Sequence, residues 1–125
     1  LDASTHLAIG RALQALDYDH LLVLGSGFSF HNMRAFFAAQ TPEIQARNLA
    51  FEDWLEQTCG DSSLSEPERA KRLADWEQAP HARFCHPREE HLLPLHVCYG
   101  LANKASDRHI AATILGKQSG MFYWG

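Results

Sequence analysis

Apolar and polar positions change their spacing several times along this chain, and each change predicts an element. Residues 3–16 carry Leu7, Ala8, Leu13 and Leu16 at helical spacing, with Ser4 or Thr5 as the capping side chain. Leu21-Leu22-Val23-Leu24 is a short continuous apolar run between Asp19-His20 and Gly25-Ser26-Gly27, the pattern of a strand buried on both faces. His31 to Ala39 reads as a helix with Met33, Phe36 and Phe37 apolar. Glu43 to Cys59 reads as a longer amphipathic helix with Leu49, Trp54 and Leu55 inward and Gly60 as its stop. Ser65-Glu66-Pro67-Glu68 has the capping serine, early proline and first-turn acids of a helix start, and that helix should run to about Gln78.

Two prolines and several polar groups make residues 80–90 irregular. His91 to Ala102 is apolar on almost every side and reads as a buried helix, with Pro94 tolerated in its first turn. Ile110 to Leu115 reads as a strand, and Gly120 to Gly125 as a terminal strand or tail. This order of helices and strands predicts an α/β fold, and the apolar run Leu21–Leu24 suits a parallel or mixed sheet.

Composition narrows the function classes. With 125 residues and 46% hydrophobic content, the chain can form one domain or half of a larger one. The net charge of −4 argues against nucleic acid, whose phosphates call for a basic face. No run approaches the roughly 20 apolar residues of a membrane span. The chain opens on Leu1 without a signal-peptide pattern, which reads as a cut or processed end. Cys59, Cys85 and Cys98 are odd in number and lack paired spacing, as expected for free thiols in a reducing cytoplasm.

Two segments carry candidate chemistry. In Leu24-Gly25-Ser26-Gly27-Phe28-Ser29-Phe30-His31-Asn32 a buried-type run ends in two glycines, and a histidine follows just before a helix. Ligands of open α/β sheets bind beyond the carboxyl ends of strands, and a histidine there suits proton transfer near neutral pH. The segment lacks the third glycine of a dinucleotide fingerprint, the P-loop lysine and the nucleophile elbow. A tight turn with His31 capping the next helix is the plain structural alternative.

The second segment is Cys85-His86-Pro87-Arg88-Glu89-Glu90-His91-Leu92-Leu93-Pro94-Leu95-His96. Five residues turn a helix by about 140°, so His91 and His96 cannot share a face. His96 is read as a core histidine bonded to a backbone carbonyl, and His6, His20, His81 and His109 as surface or capping groups. His91 is the metal-ligand candidate, with Glu89 or Glu90 to orient or join it. A zinc site from Cys85, His86 and His91 is the alternative, without a Cys-x-x-Cys pair to support it.

Together these segments resemble the strand-turn-histidine motif and the later acid-His, Leu-Pro-Leu motif of the LigB superfamily of class III extradiol ring-cleaving dioxygenases, in its DOPA-dioxygenase-like branch. The separation of the motifs and the closing Gly116-Lys117-Gln118-Ser119-Gly120-Met121-Phe122 extend the likeness through nearly the whole chain. The resemblance implies an α/β domain that opens a catechol ring with O₂ at a mononuclear non-haem metal, Fe(II), although zinc would suit the same imidazole site. It implies His31 as the proton-transfer histidine, which some members' metal sites include as a ligand, and His91 as a metal ligand.

Two further metal histidines of the family, in a Gly-His-Gly-Ser-Pro type and a Ser-Ala-His-Trp type motif, do not occur here. The resemblance therefore implies that residues 1–125 form the C-terminal part of one catalytic domain, a poor enzyme without its N-terminal half. The partners implied are a small catecholic substrate, O₂ and that missing half, with homo-oligomerisation left open. A non-catalytic binding domain that kept the fold and lost the metal is the alternative reading.

Overall fold

The computed structural model describes residues 1–125. Helix α1 spans Ala3–Leu13, α2 Met33–Phe37, α3 Pro42–Gly60, α4 Glu66–Ala74, α5 Ala82–Cys85 and α6 Leu93–Ala102. A 3₁₀ turn at Trp76–Gln78 follows α4. Strands β1, Arg108–Ile114, and β2, Lys117–Tyr123, close the chain as an antiparallel hairpin in which Ile114 faces Lys117.

Most helix starts follow local cap chemistry. Thr41, Ser65 and Asn32 accept from the amides of Ile44, Glu68 and Ala35. The cap of α1 is Asp2, whose carboxylate takes both the amide and the hydroxyl of Thr5, and not Ser4 or Thr5. Asp2 sits just before the first helical residue, where its carboxylate reaches the Thr5 amide, whereas Ser4 and Thr5 lie inside the helix. Helix α1 ends at Leu13, leaving Leu16 exposed. The helix expected to run from Glu66 to Gln78 breaks at Asp75 into the 3₁₀ turn, which inserts Trp76 into the core.

Helices α1 and α6 cross where each has a glycine. A Cβ on Gly10 would lie 2.2 Å from the Val97 carbonyl oxygen, and one on Gly100 2.4 Å from that of Leu7. The core continues through Phe30, Phe51, Leu55, Trp76, Leu92 and Leu93, and through Leu7, Cys59, Leu73 and Tyr99 under α4 and α6. Arg69, fully buried, closes the end of α3: its guanidinium donates to the carbonyls of Thr58 at 2.7 Å and Asp61 at 2.8 Å and pairs with Glu66 at 3.1 Å.

Helix and strand are both present, but the mixed sheet is not assembled within this chain. The hairpin is its whole sheet, and Leu21–Leu24 is extended backbone without a strand partner. Leu22 and Leu24 are 72% and 82% exposed, so the expected two-sided burial is absent. The physical reason is that burial of a strand comes from its neighbours, and residues 17–27 make no backbone–backbone hydrogen bond. The outer edge of β2, by contrast, is closed by side chains. Asn48 exchanges two hydrogen bonds with Gln118, and the Ser29 hydroxyl accepts from the Gly120 amide. No helix is long and apolar enough to cross a membrane.

Candidate functional site

The turn that carries His31 and the segment that carries His91 are laced together. The Phe28 amide donates to the His91 carbonyl at 2.8 Å, and the His31 amide to that of Cys85 at 2.8 Å. Asn32 donates from Nδ2 to the Phe84 carbonyl at 2.7 Å while its Oδ1 caps α2. His86 donates from Nε2 to the Ser29 carbonyl at 2.6 Å. Gly27 lets the backbones approach, since a Cβ there would lie 2.2 Å from the His91 oxygen.

This clasp brings the two candidate histidines face to face. The rings of His31 and His91 stack with centroids 3.6 Å apart and planes 15° from parallel. His31 is held below the ordinary histidine range, first by burial and then by the neighbouring His91 ring. His31 is half-buried at the start of α2, whereas His91 is exposed in the turn before α6 and not inside a helix. Glu89 is drawn away to Arg83, at 2.9 Å, so it does not serve His91.

His91 also lines an apolar groove of about 470 Å³. Its walls are the extended segment Leu21–Phe28, helix α6 and the end of the hairpin, where Phe122 and Trp124 contribute.

The donor chemistry of a neutral imidazole fits a divalent metal at His91. As the rings stand, His31 and His91 do not fit as two ligands of one ion. A ring nitrogen's lone pair lies in the ring plane and reaches a metal at about 2.0–2.1 Å, so near-parallel stacked rings aim their lone pairs side by side. No group of three or more His, Cys, Asp or Glu side chains is placed to hold a metal ion. The zinc trio does not converge: Cys85 is buried with Sγ toward the Arg47 carbonyl, and His86 spends its Nε2 on Ser29.

The remaining histidines lie apart from this pair. His96 is buried with Nε2 on the Leu73 carbonyl at 2.7 Å, as its sequence context suggested. His6 bonds the Asp2 carbonyl, and His20 and His81 are exposed residues with positive φ. His109 is half-buried against Phe122 and faces Glu56 at 3.4 Å.

Sequence reasoning passed over Glu52, Ser29 and Ser119, which form a buried polar knot behind the His31 turn. The available signal was helical spacing: Asn48, Phe51, Glu52, Leu55 and Cys59 share the buried face of α3, so an acid stands inside an apolar stripe.

No family model matches the chain. Individual relatives do. The chain is 31% identical to "Dioxygenase tasH" of Hapsidospora irregularis over 99% of its own length and 40% of that protein's. It is 31% identical to "4,5-DOPA dioxygenase extradiol" of Beta vulgaris, over 85% of the chain and 37% of the relative. It is 29% identical to "4,5-DOPA dioxygenase extradiol-like protein" of Schizosaccharomyces pombe, over 98% and 40%. The chain is therefore homologous to the DOPA extradiol dioxygenases, proteins of the LigB-type class III, over most of its length, and it spans about 40% of the length of the relatives it matches.

Proposed function

We propose that residues 1–125 are the C-terminal part of a single dioxygenase domain that opens a catechol-type ring with O₂, with DOPA as the first substrate to test. The observation that carries this reading is the face-to-face placement of His31 and His91 beside an apolar groove. The homology points to the same chemistry, and the missing part of the relatives' length is where the remaining metal histidines would lie.

In this reading His91 is one ligand of a mononuclear non-haem Fe(II), with zinc able to occupy the same position. That metal, when bound, supplies a centre at which catechol and O₂ meet and exchange charge. His31 is uncharged at neutral pH, because burial and His91 lower its pKa, so a ring nitrogen is free to take a catechol hydroxyl proton. The apolar groove walls would shield an aromatic ring from water. The three free thiols accord with a cytoplasmic protein.

The test uses the complete protein, including both N-terminal histidine motifs, loaded with iron(II) without oxygen and given DOPA. His91→Ala should lower metal content by elemental analysis, with ring opening falling in step. His31→Ala should keep the metal and slow ring opening by about 10²- to 10⁴-fold, the usual contribution of an acid–base group. Equal loss of metal in both variants would make His31 a ligand first. Full activity in both would remove the site reading altogether.

A further inference from the structure

We propose that Glu52 is a positioning residue for His31: its buried carboxyl holds the Ser29 hydroxyl and so fixes the turn that presents the histidine. The inference rests on the reading of His31 as a site residue. It concerns a group in α3 that neither touches His31 nor belongs to its segment.

Ser29 is a saturated node. A serine hydroxyl has one proton to give and two lone pairs to fill. Here Oγ accepts from the Gly120 amide at 2.8 Å, lies 3.0 Å from Ser119 Oγ, and donates to Glu52 Oε1. With its proton spent on Glu52, the Ser119 hydroxyl fills the second lone pair. The Ser29 carbonyl is taken by His86 Nε2. Helix α3, strand β2 and the His86 segment therefore meet on one residue, two positions before His31. Phe30 between them is buried, so the turn has little freedom to re-aim.

Packing alone does not account for a carboxyl here. Glu52 is 1% exposed, and its second oxygen, Oε2, has no hydrogen-bond partner. A buried polar atom left unpaired costs stability that an apolar side chain of the same size would avoid. What the carboxyl adds is a directed acceptor for Ser29. Gly120 completes the arrangement, because a Cβ there would lie 2.8 Å from Oε2 and 2.8 Å from His109 Nε2.

Amide hydrogen exchange of the 125-residue chain, read by mass spectrometry, tests the proposal without metal or catechol. Failure of the dioxygenase reading would therefore leave this result standing, and the reverse holds too. Glu52→Ala should speed exchange across residues 28–32 by about tenfold or more, the scale of one lost buried hydrogen bond. Peptides from α1 and α6 should be unchanged. Glu52→Gln should restore the parent rate, because the amide oxygen accepts the same bond. If Glu52→Ala unfolds the whole chain, Ser29→Ala decides the matter, with the same local loss expected. Unchanged exchange at 28–32 in Ser29→Ala, or a Gln variant as fast as the Ala variant, overturns the proposal.

Discussion

Gly27 lies against the carbonyl of His91 so closely that its missing side chain is what lets the two histidine segments meet. A Cβ at that position would sit 2.2 Å from the His91 oxygen, and the obstacle is backbone that cannot swing aside. Gly27→Ala should therefore open the clasp and cost more than about 2 kcal/mol, the range of severe steric insertions. Gly25→Ala should cost less, since its nearest obstacle is the movable Cys98 sulfur at 2.7 Å. Urea denaturation of the two variants checks the order, and equal stabilities would contradict the account.

Stability should peak slightly below neutral pH. Burial pushes the pKa values of His86 and His96 down to about 4 from 6.5. Their contribution is whole above pH 6.5 and is lost as pH falls toward 4, each on the order of 3 kcal/mol. Burial pushes Glu52 up to about 7 from 4.5, with the opposite sign. Its contribution is whole below pH 4.5 and is lost as pH rises to about 7. Two histidines outweigh one carboxyl on the acid side, so denaturant midpoints should fall steeply below pH 6. Glu52→Gln should remove the shallower decline approaching neutrality.

Arg69 carries a buried charge on fixed partners, the Thr58 and Asp61 carbonyls and the Glu66 carboxylate. Arg69→Met should destabilise by about 3–5 kcal/mol, because it strands those acceptors in the interior. Arg69→Lys should recover only part of the loss, since an ammonium cannot reproduce the guanidinium fork. Thermal melts of the three proteins would show the ordering, and a Lys variant as stable as the parent would deny the fork its role.

Leu22 and Leu24 present an apolar, unpaired strand to solvent. Such edges recruit other strands. The isolated chain should therefore self-associate with rising concentration, and Leu22→Lys with Leu24→Lys should suppress it. Sedimentation velocity would read both, and a parent chain that stays monomeric would count against an uncovered edge.

Much of the local structure was legible because its causes are local. The helical spacing around Leu7, the Ser65 cap and the buried helix containing His96 each depend on residues within a turn or two. The two histidine segments were recognisable for the same reason, as runs of adjacent residues. Their meeting was implied by the family resemblance alone and not by either segment's own pattern, because it depends on the Gly27 approach to a carbonyl far along the chain. The Leu21–Leu24 run declared a buried strand by composition, yet burial belongs to whatever packs beside it, and composition cannot supply that neighbour. Glu52 shares the helical stripe of Asn48, Phe51, Leu55 and Cys59, and that spacing marks a buried face without naming a partner. Only the tertiary structure set it against Ser29, since a buried polar group is defined by its partners and those come from β2 and the His31 turn.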